Sequence, residues 1–208
     1  MSVITISRQF GTGGLTIGKN LAEKLSYTLI DEEIIKLISQ KAKVSKDWVQ
    51  ALEKEAGGKL HHFVNRLVPK SLVDRILDDQ RGYIDEEIYI NLLDQIIRQI
   101  AEKDNCIIVG RGGQYILKDR PDTFHILLFA DREDRIRFVE SQYHLKPSQA
   151  LQVINAEDKR RNNLYRNFDK SDYDHPMHYH ITLNMSKISL DTAADIIIRC
   201  MADQMLSD

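Results

Sequence analysis

The first nineteen residues constrain this chain more than any other stretch. Val3-Ile4-Thr5-Ile6 is a short β-branched run, the composition of a buried strand. Gly11, Gly13 and Gly14 then crowd together, and such density lets a backbone turn sharply and approach a ligand closely. From Thr16 onward, Ile17, Leu21 and Leu25 recur at helical spacing. Strand, glycine-rich turn and helix in that order direct loop N–H groups and a helix N-terminus at one point. That arrangement suits a phosphate group.

The phosphate-binding loop of many nucleotide enzymes reads G-x-x-x-x-G-K-[ST]. Aligned on its glycines, Gly13 is the second glycine and Arg8 stands where the first should be. Gly14 takes the place of the lysine and Leu15 that of the hydroxyl residue, with Thr16 one step later. A backbone cradle from Gly11 through Thr12, Gly13, Gly14 and Leu15 to Thr16 remains. The cation that reaches the outer phosphates must come from elsewhere, and Arg8 and Lys19 are the candidates. The dinucleotide pattern G-x-G-x-x-G fits worse, because Thr occupies position 16. A plain strand-to-helix turn that merely requires glycine is the alternative reading.

Downstream, Tyr27 to Ile30 is a second strand candidate, with Asp31 at its C-terminal end. In open parallel sheets that edge binds ligands. Asp31-Glu32-Glu33 opens a helix carrying Ile34, Ile35, Leu37 and Ile38. Residues 44–83 read as short, interrupted helices. Arg66, Lys70, Arg75 and Arg81 recur there as solvated charges or as holders of an anionic acceptor. The adjacent His61-His62 pair points two ways on a helix, which disfavours a metal site there. Asp85 to Lys103 carries one apolar stripe, Ile88, Leu92, Leu93, Ile96, Ile97 and Ile100, and reads as a helix.

Cys106-Ile107-Ile108-Val109 is the uniformly apolar run of a parallel strand buried on both faces. It ends in a second glycine cluster, Gly110-Arg111-Gly112-Gly113, which makes Arg111 a candidate anion clamp. Thr123 to Phe129 is another buried strand, and Asp131 is placed to cap the next helix. Pro147 opens a long helix to about Phe168. Its end carries Glu157-Asp158-Lys159-Arg160-Arg161 and Arg166, and leads into a polar loop from Asp169 to Pro176. Such a segment suits a lid that brings arginines over phosphates, although a charge run on a helix is usually a solvated face. Tyr179, Ile181 and Leu183 alternate with polar residues in a half-exposed last strand. His175, His178 and His180 with Asp172 and Asp174 match no common metal-ligand spacing. Ser189 is placed to cap a final helix bearing Ala193, Ile197, Cys200 and Met201.

This alternation predicts an α/β fold: a five-stranded parallel sheet with helices on both faces. Arg8 to Gly14, Asp31 and Gly110 to Gly113 then share one edge of that sheet. At 208 residues the chain suits one domain spanning 1–208. A formal net charge of −2 gives no overall pull toward nucleic acid or membrane. Cys106 and Cys200 sit in apolar runs, without metal spacing, and read as buried reduced thiols. With no signal-like start and no long apolar run, the expectation is a cytoplasmic protein whose partners are small-molecule nucleotides. A homodimer is left open.

Five pieces in order carry a resemblance. They are Ile6 to Gly14, Ile30 to Ile35, Ile107 to Gly112, Asp158-Lys159-Arg160-Arg161-Asn162, and Tyr179 to Asn184. Together they make the chain resemble the cytidylate kinase-like family, relatives of the P-loop nucleoside monophosphate kinases. The resemblance implies the three-layer P-loop kinase fold, an acceptor-binding lobe at 32–83 and an arginine-bearing lid at 157–176. It implies ATP and Mg²⁺, with phosphoryl transfer to a nucleoside monophosphate such as CMP or dCMP. By the same resemblance Gly11 to Thr16 surround the ATP phosphates, Asp31 and Arg111 serve the acceptor, and Arg160 and Arg161 are lid arginines. The positive charge that transfer needs is then expected from Arg8, Lys19, Arg111 and the lid arginines together. No metal ligand is assigned, and Asp31 and Asp131 are the nearest carboxylates. Two departures stand out: Gly14 in place of the lysine, and Val109 in place of an aspartate before Gly110-Arg111. These losses also favour one alternative, a nucleotide sensor with little turnover; a second, a kinase of another small molecule, stays open because the acceptor lobe is the least matched part.

Overall fold

The computed structural model describes residues 2–31, 86–166, 168 and 172–205. The expected helix at Ile34 to Ile38, the acceptor lobe at 32–83 with its histidine pair and basic residues, and Asp169 of the expected lid lie outside the described residues. The chain divides into two units, residues 1–31 with 104–208, and residues 32–103. In the second unit the described element is a helix, Glu86–Ala101, labelled α2 in the chain order used below, and its Leu93, Ile96, Ile97 and Ile100 are buried.

The first unit is built on five parallel strands: β1 (Val3–Arg8), β2 (Thr28–Ile30), β3 (Cys106–Val109), β4 (Thr123–Phe129) and β5 (Ile181–Asn184). Their spatial order is β2-β3-β1-β4-β5. Register aligns Ile6 with Val109 on one side and with Ile126 on the other. The strands therefore end together, and the turns after β1 and β3 are neighbours. The helices are α1 (Gly14–Leu25), α3 (Gly113–Ile116), α4 (Arg132–Tyr143), α5 (Pro147–Arg166) and α6 (Leu190–Met205).

Alternation along the strands sorts the side chains into two faces. Ile4, Ile6, Ile107, Val109, Phe124, Ile126 and Leu128 form one apolar layer with Ile17 and Leu21 of α1 and Ala193, Ala194 and Ile197 of α6. Gly18 lets α1 come close, since a Cβ there would lie 3.0 Å from Leu29 and 3.2 Å from Val109. The opposite face carries Thr5, Ser7 and His125, all buried, and meets α3 and the end of α5. A separate small cluster, Val139, Ala150 and Ile154 with Phe10, joins α4 to α5.

β3 and β4 take the expected bounds. Other local expectations change: β2 starts at Thr28 and β5 at Ile181, one and two residues later than read from the sequence, and α5 ends at Arg166. Helix α1 starts at Gly14, two residues earlier than the apolar spacing suggested. Asp131 occupies the N-cap position of α4, but its side chain makes no capping hydrogen bond; its backbone N–H donates to Ser186 Oγ at 2.8 Å instead. The second glycine cluster opens the short α3, which no apolar period announced. Ser189 does cap α6, accepting from the Thr192 N–H at 3.1 Å. Cys106 and Cys200 are free thiols, and burial pushes the Cys106 thiol up to about 12.

Candidate functional site

The glycine turn after β1 is braced from beneath. Gln9 donates its backbone N–H to the Leu128 carbonyl at 3.0 Å and accepts from the Ala130 N–H through its side chain at 3.2 Å. Thr12, buried, donates its hydroxyl to the Gln9 carbonyl at 2.9 Å. Arg135 of α4 donates Nε to the Phe10 carbonyl at 2.7 Å. Gly11 has φ +86°, and a Cβ there would meet the Arg135 carbonyl oxygen at 2.9 Å and Val139 at 3.1 Å. Only glycine satisfies both the dihedral and the space. The first helical bond of α1 runs from the Ile17 N–H to the Gly13 carbonyl at 2.9 Å. The amides of Gly14, Leu15 and Thr16 precede it and make no bond inside the helix. The turn's shape is thus fixed by bonds within the chain, with three helix-start amides left outside the helical ladder.

Arg8 is the last residue of β1, and its side chain runs across the mouth of this turn. Its Cγ lies 2.9 Å from where a Gly14 Cβ would stand, and its Nη1 lies 2.3 Å from where a Gly110 Cβ would stand. The stem covers Gly14 and the guanidinium covers Gly110, so one arginine links the two glycine turns. The other candidate cation, Lys19, is exposed on α1.

The second turn follows β3, with the Gly110 N–H donating to the Ile6 carbonyl at 2.9 Å. Gly110, Arg111 and Gly112 all have positive φ, at 80°, 58° and 74°. For Arg111 this left-handed conformation costs on the order of 1 kcal/mol. Strained backbone at a strand end beside a glycine turn makes this a candidate ligand site. Asp31 sits at the end of β2, half-buried, on the same sheet edge.

The charged end of α5 divides into two sets. Lys159 and Arg160 are exposed, and Arg160 approaches Glu157 at 3.7 Å. Asp158 and Arg161, three residues apart and so on one helix face, point inward. Asp158 receives both its oxygens' bonds from Arg135 Nη2, at 2.7 Å each. This ties α5 to the same arginine that braces the glycine turn. Arg161 is held by Asp174 through two hydrogen bonds, one of them 2.9 Å, and donates to Ser7 Oγ at 3.0 Å. Its guanidinium also lies 4.9 Å from the Tyr165 ring centre and 5.0 Å from that of Tyr173. Burial works against its charge, but the Asp174 carboxylate outweighs that, and its pKa is raised. An Arg161 reaching from a lid was the expectation; here the residue fastens the end of α5 to the end of β1.

The histidine-rich segment also finds other partners. Among the described residues no cluster of His, Cys, Asp or Glu could hold a metal ion. His178 lies 3.3 Å from Asp172, and His180 Nδ1 accepts from the His125 N–H at 2.9 Å. A cavity of about 490 Å³, with Gln114, Lys118, His125 and His180 among its lining residues, opens beside α3 and β5. None of the glycine-turn residues lines it.

The sequence assigned no role to Ser7, Gln9 or Arg135, and weighed Asp174 only as part of the histidine-rich segment. Arg135 carried no signal, because its partners lie 125 and 23 residues away. The inward pair on α5 did carry one, in the spacing of Asp158 and Arg161.

A five-stranded parallel sheet of order 2-3-1-4-5 with glycine turns at its C-terminal edge is the P-loop kinase type of α/β fold. The sequence matches the cytidylate kinase-like family over residues 3–187, and the chain belongs to that family. No curated protein matches it. Among solved structures it is similar to an uncharacterized protein from Eubacterium ventriosum ATCC 27560, with 24% identity, coverage of 97% of this chain and 99% of that one, and a TM-score of 0.67. It is also similar in fold to a gluconokinase from Sinorhizobium meliloti 1021, with 12% identity, coverage of 97% and 92%, and a TM-score of 0.51. Family and fold together support phosphoryl transfer as the class of chemistry. No helix among the described residues is long and apolar enough to cross a membrane.

Proposed function

We propose that the chain transfers the γ-phosphoryl group of ATP to a nucleoside monophosphate, with CMP and dCMP the first acceptors to try. The observation that carries this reading is the pairing of two glycine turns, after β1 and β3, at adjoining strand ends with Arg8 laid across both. Phosphoryl transfer asks a protein for position and positive charge rather than covalent chemistry. The braced turn from Gly11 to Thr16 supplies the first through its amides, and the basic side chains of this edge, Arg8, Lys19 and Arg111, are the sources proposed for the second. An acceptor phosphate oxygen bonds to the γ-phosphorus while the bridging oxygen leaves with ADP. Asp31 and Arg111 are the residues proposed for the acceptor, with the lobe at 32–83, and Arg160 for the lid at 157–176.

The family implies a nucleotide and Mg²⁺. The turn's bare amides fit a polyphosphate. For the ion, the described residues offer no cage, which suits Mg²⁺ held largely by phosphate oxygens and water. Asp31 and Asp131 are the carboxylates proposed to lie nearest to it, and the ion's contribution when bound would be to offset phosphate charge. A second reading, a nucleotide sensor with little turnover, is favoured by one observation: Asp174 already holds Arg161.

The test is ADP formation with ATP and Mg²⁺ against CMP, dCMP, UMP, AMP and GMP. Acceptor-dependent ADP is expected with at least one of them. ATP binding without turnover on the whole panel would replace the kinase reading with the sensor.

A further inference from the structure

In the usual loop the lysine after the second glycine reaches back over the turn to the outer phosphates. Here both ends of that arrangement are altered together: position 8 gains a cation, and position 14 loses one. The structure shows why the two changes are coupled. A Cβ at residue 14 would lie 2.9 Å from Arg8 Cγ, 3.2 Å from Arg8 Cβ and 3.5 Å from Arg8 Cδ. A lysine at 14 and the present arginine at 8 would claim one volume. Glycine at 14 is therefore the residue that admits the arginine stem.

The guanidinium is seated with equal economy. It lies over Gly110, where a Cβ would meet Nη1 at 2.3 Å and Cζ at 3.0 Å. Gly110 holds φ +80°, so side chains are disfavoured there on dihedral grounds as well. A cation anchored at the end of β1, with its stem on α1 and its head on the turn after β3, spans the place where the two turns adjoin.

We infer that Arg8 and Gly14 are a reciprocal exchange of the loop's glycine and lysine, with Arg8 the catalytic cation that engages the β- and γ-phosphates. This rests on the kinase reading of the same site and adds which residue does the lysine's work and why residue 14 is glycine. Arginine differs from lysine here in consequence: its planar fork can bond two phosphate oxygens at once.

The experiment compares wild type with Arg8→Ala, Arg8→Gln, Gly14→Lys and the double variant Arg8→Gly with Gly14→Lys. Affinity for ATP and for AMP is measured by calorimetry, and acceptor-dependent ADP formation is measured alongside. Arg8→Ala is expected to lose about 10-fold or more in ATP affinity with AMP affinity unchanged, and about 100-fold in turnover. Arg8→Gln keeps the stem over Gly14 and removes only the charge, so it answers the question even if Arg8→Ala folds poorly. Gly14→Lys alone is expected to bind ATP more weakly than wild type, because the two stems collide. The double variant, which restores the usual loop, is expected to recover at least about 10-fold of the loss in Arg8→Ala. ATP affinity and turnover in Arg8→Gln within about 2-fold of wild type, a change too small for a lost charge contact, would overturn this inference and leave the kinase reading standing. A double variant no better than Arg8→Ala would overturn the exchange. A wild type that neither binds ATP nor forms ADP would overturn the proposed function and this inference with it.

Discussion

The two faces of the sheet are both buried, yet they are held by different physics. On one face Ile4, Ile6, Ile107, Ile126 and Leu128 pack with α1 and α6 in an apolar layer. On the other, Thr5 Oγ1 meets His125 Nδ1 at 2.7 Å, Ser7 Oγ meets the Tyr165 hydroxyl at 3.1 Å, and Arg161 reaches Ser7. Apolar contact is non-directional and scales with area. Buried polar contact fixes geometry and is costly to break. The difference teaches where orientation matters in this molecule. The polar face ends at Ser7, one residue before Arg8, and there it sets the position of the strand end that carries the candidate phosphate cation.

The comparison predicts distinct failures. The largest loss of stability is expected on the apolar face. Ile126 is fully buried, and Ile126→Ala should cost about 4 kcal/mol through lost burial and a residual cavity. Urea unfolding would show this as a lower midpoint, while nucleotide affinity of the folded fraction stays unchanged. A cost below about 1 kcal/mol would mean that the layer repacks.

On the polar face, Asp174→Ala strands a guanidinium that is 11% exposed and whose buried Nε already has no hydrogen-bond partner. Asp174 itself is 34% exposed, so the expected cost is at the low end for a broken buried pair, about 3 kcal/mol. Unlike Ile126→Ala, it should also alter ATP affinity, because Ser7 and the end of β1 lose their tether. Unchanged affinity would break the proposed link between the polar face and the site.

The third expected effect is a pH dependence, absent at neutral pH and felt only on acidification. Burial, followed by the neighbouring His180, holds the His125 pKa down to about 4. The unfolded chain takes up a proton near the ordinary value of 6.5, while the folded chain resists it. The stabilisation is therefore complete above about 6.5 and is lost as pH falls toward 4, with a slope of about 1.4 kcal/mol per pH unit at its steepest. His125→Asn should flatten that limb of the stability–pH curve, with His180, also shifted down by burial, leaving a weaker residue of it. An unchanged limb would place the titration elsewhere.

Much of the fold was legible because parallel strands buried on both sides read as apolar runs. Cys106–Val109 and Thr123–Phe129 have the bounds the sequence suggested. The polar face was not legible: Thr5 and His125 sit inside β-rich runs, and nothing in the chain marks that they meet across 120 residues. The glycine turns and Arg8 were visible as candidates, but the reason for Gly14 was not, since it lies in a neighbour's stem. The charged end of α5 misled in one respect. Its composition resembles a free lid, yet Asp158 and Arg161 are committed to Arg135 and Asp174, residues whose roles depend on packing.

The most direct test of the account is amide shift mapping of the labelled protein titrated with Mg²⁺-ADP. The account predicts that the amides of Gly11, Gly13, Gly14, Leu15 and Thr16 move first and furthest, with Gly110 and Arg111 following. Shifts confined to the cavity beside Gln114 and His180, with the glycine turns unmoved, would contradict it.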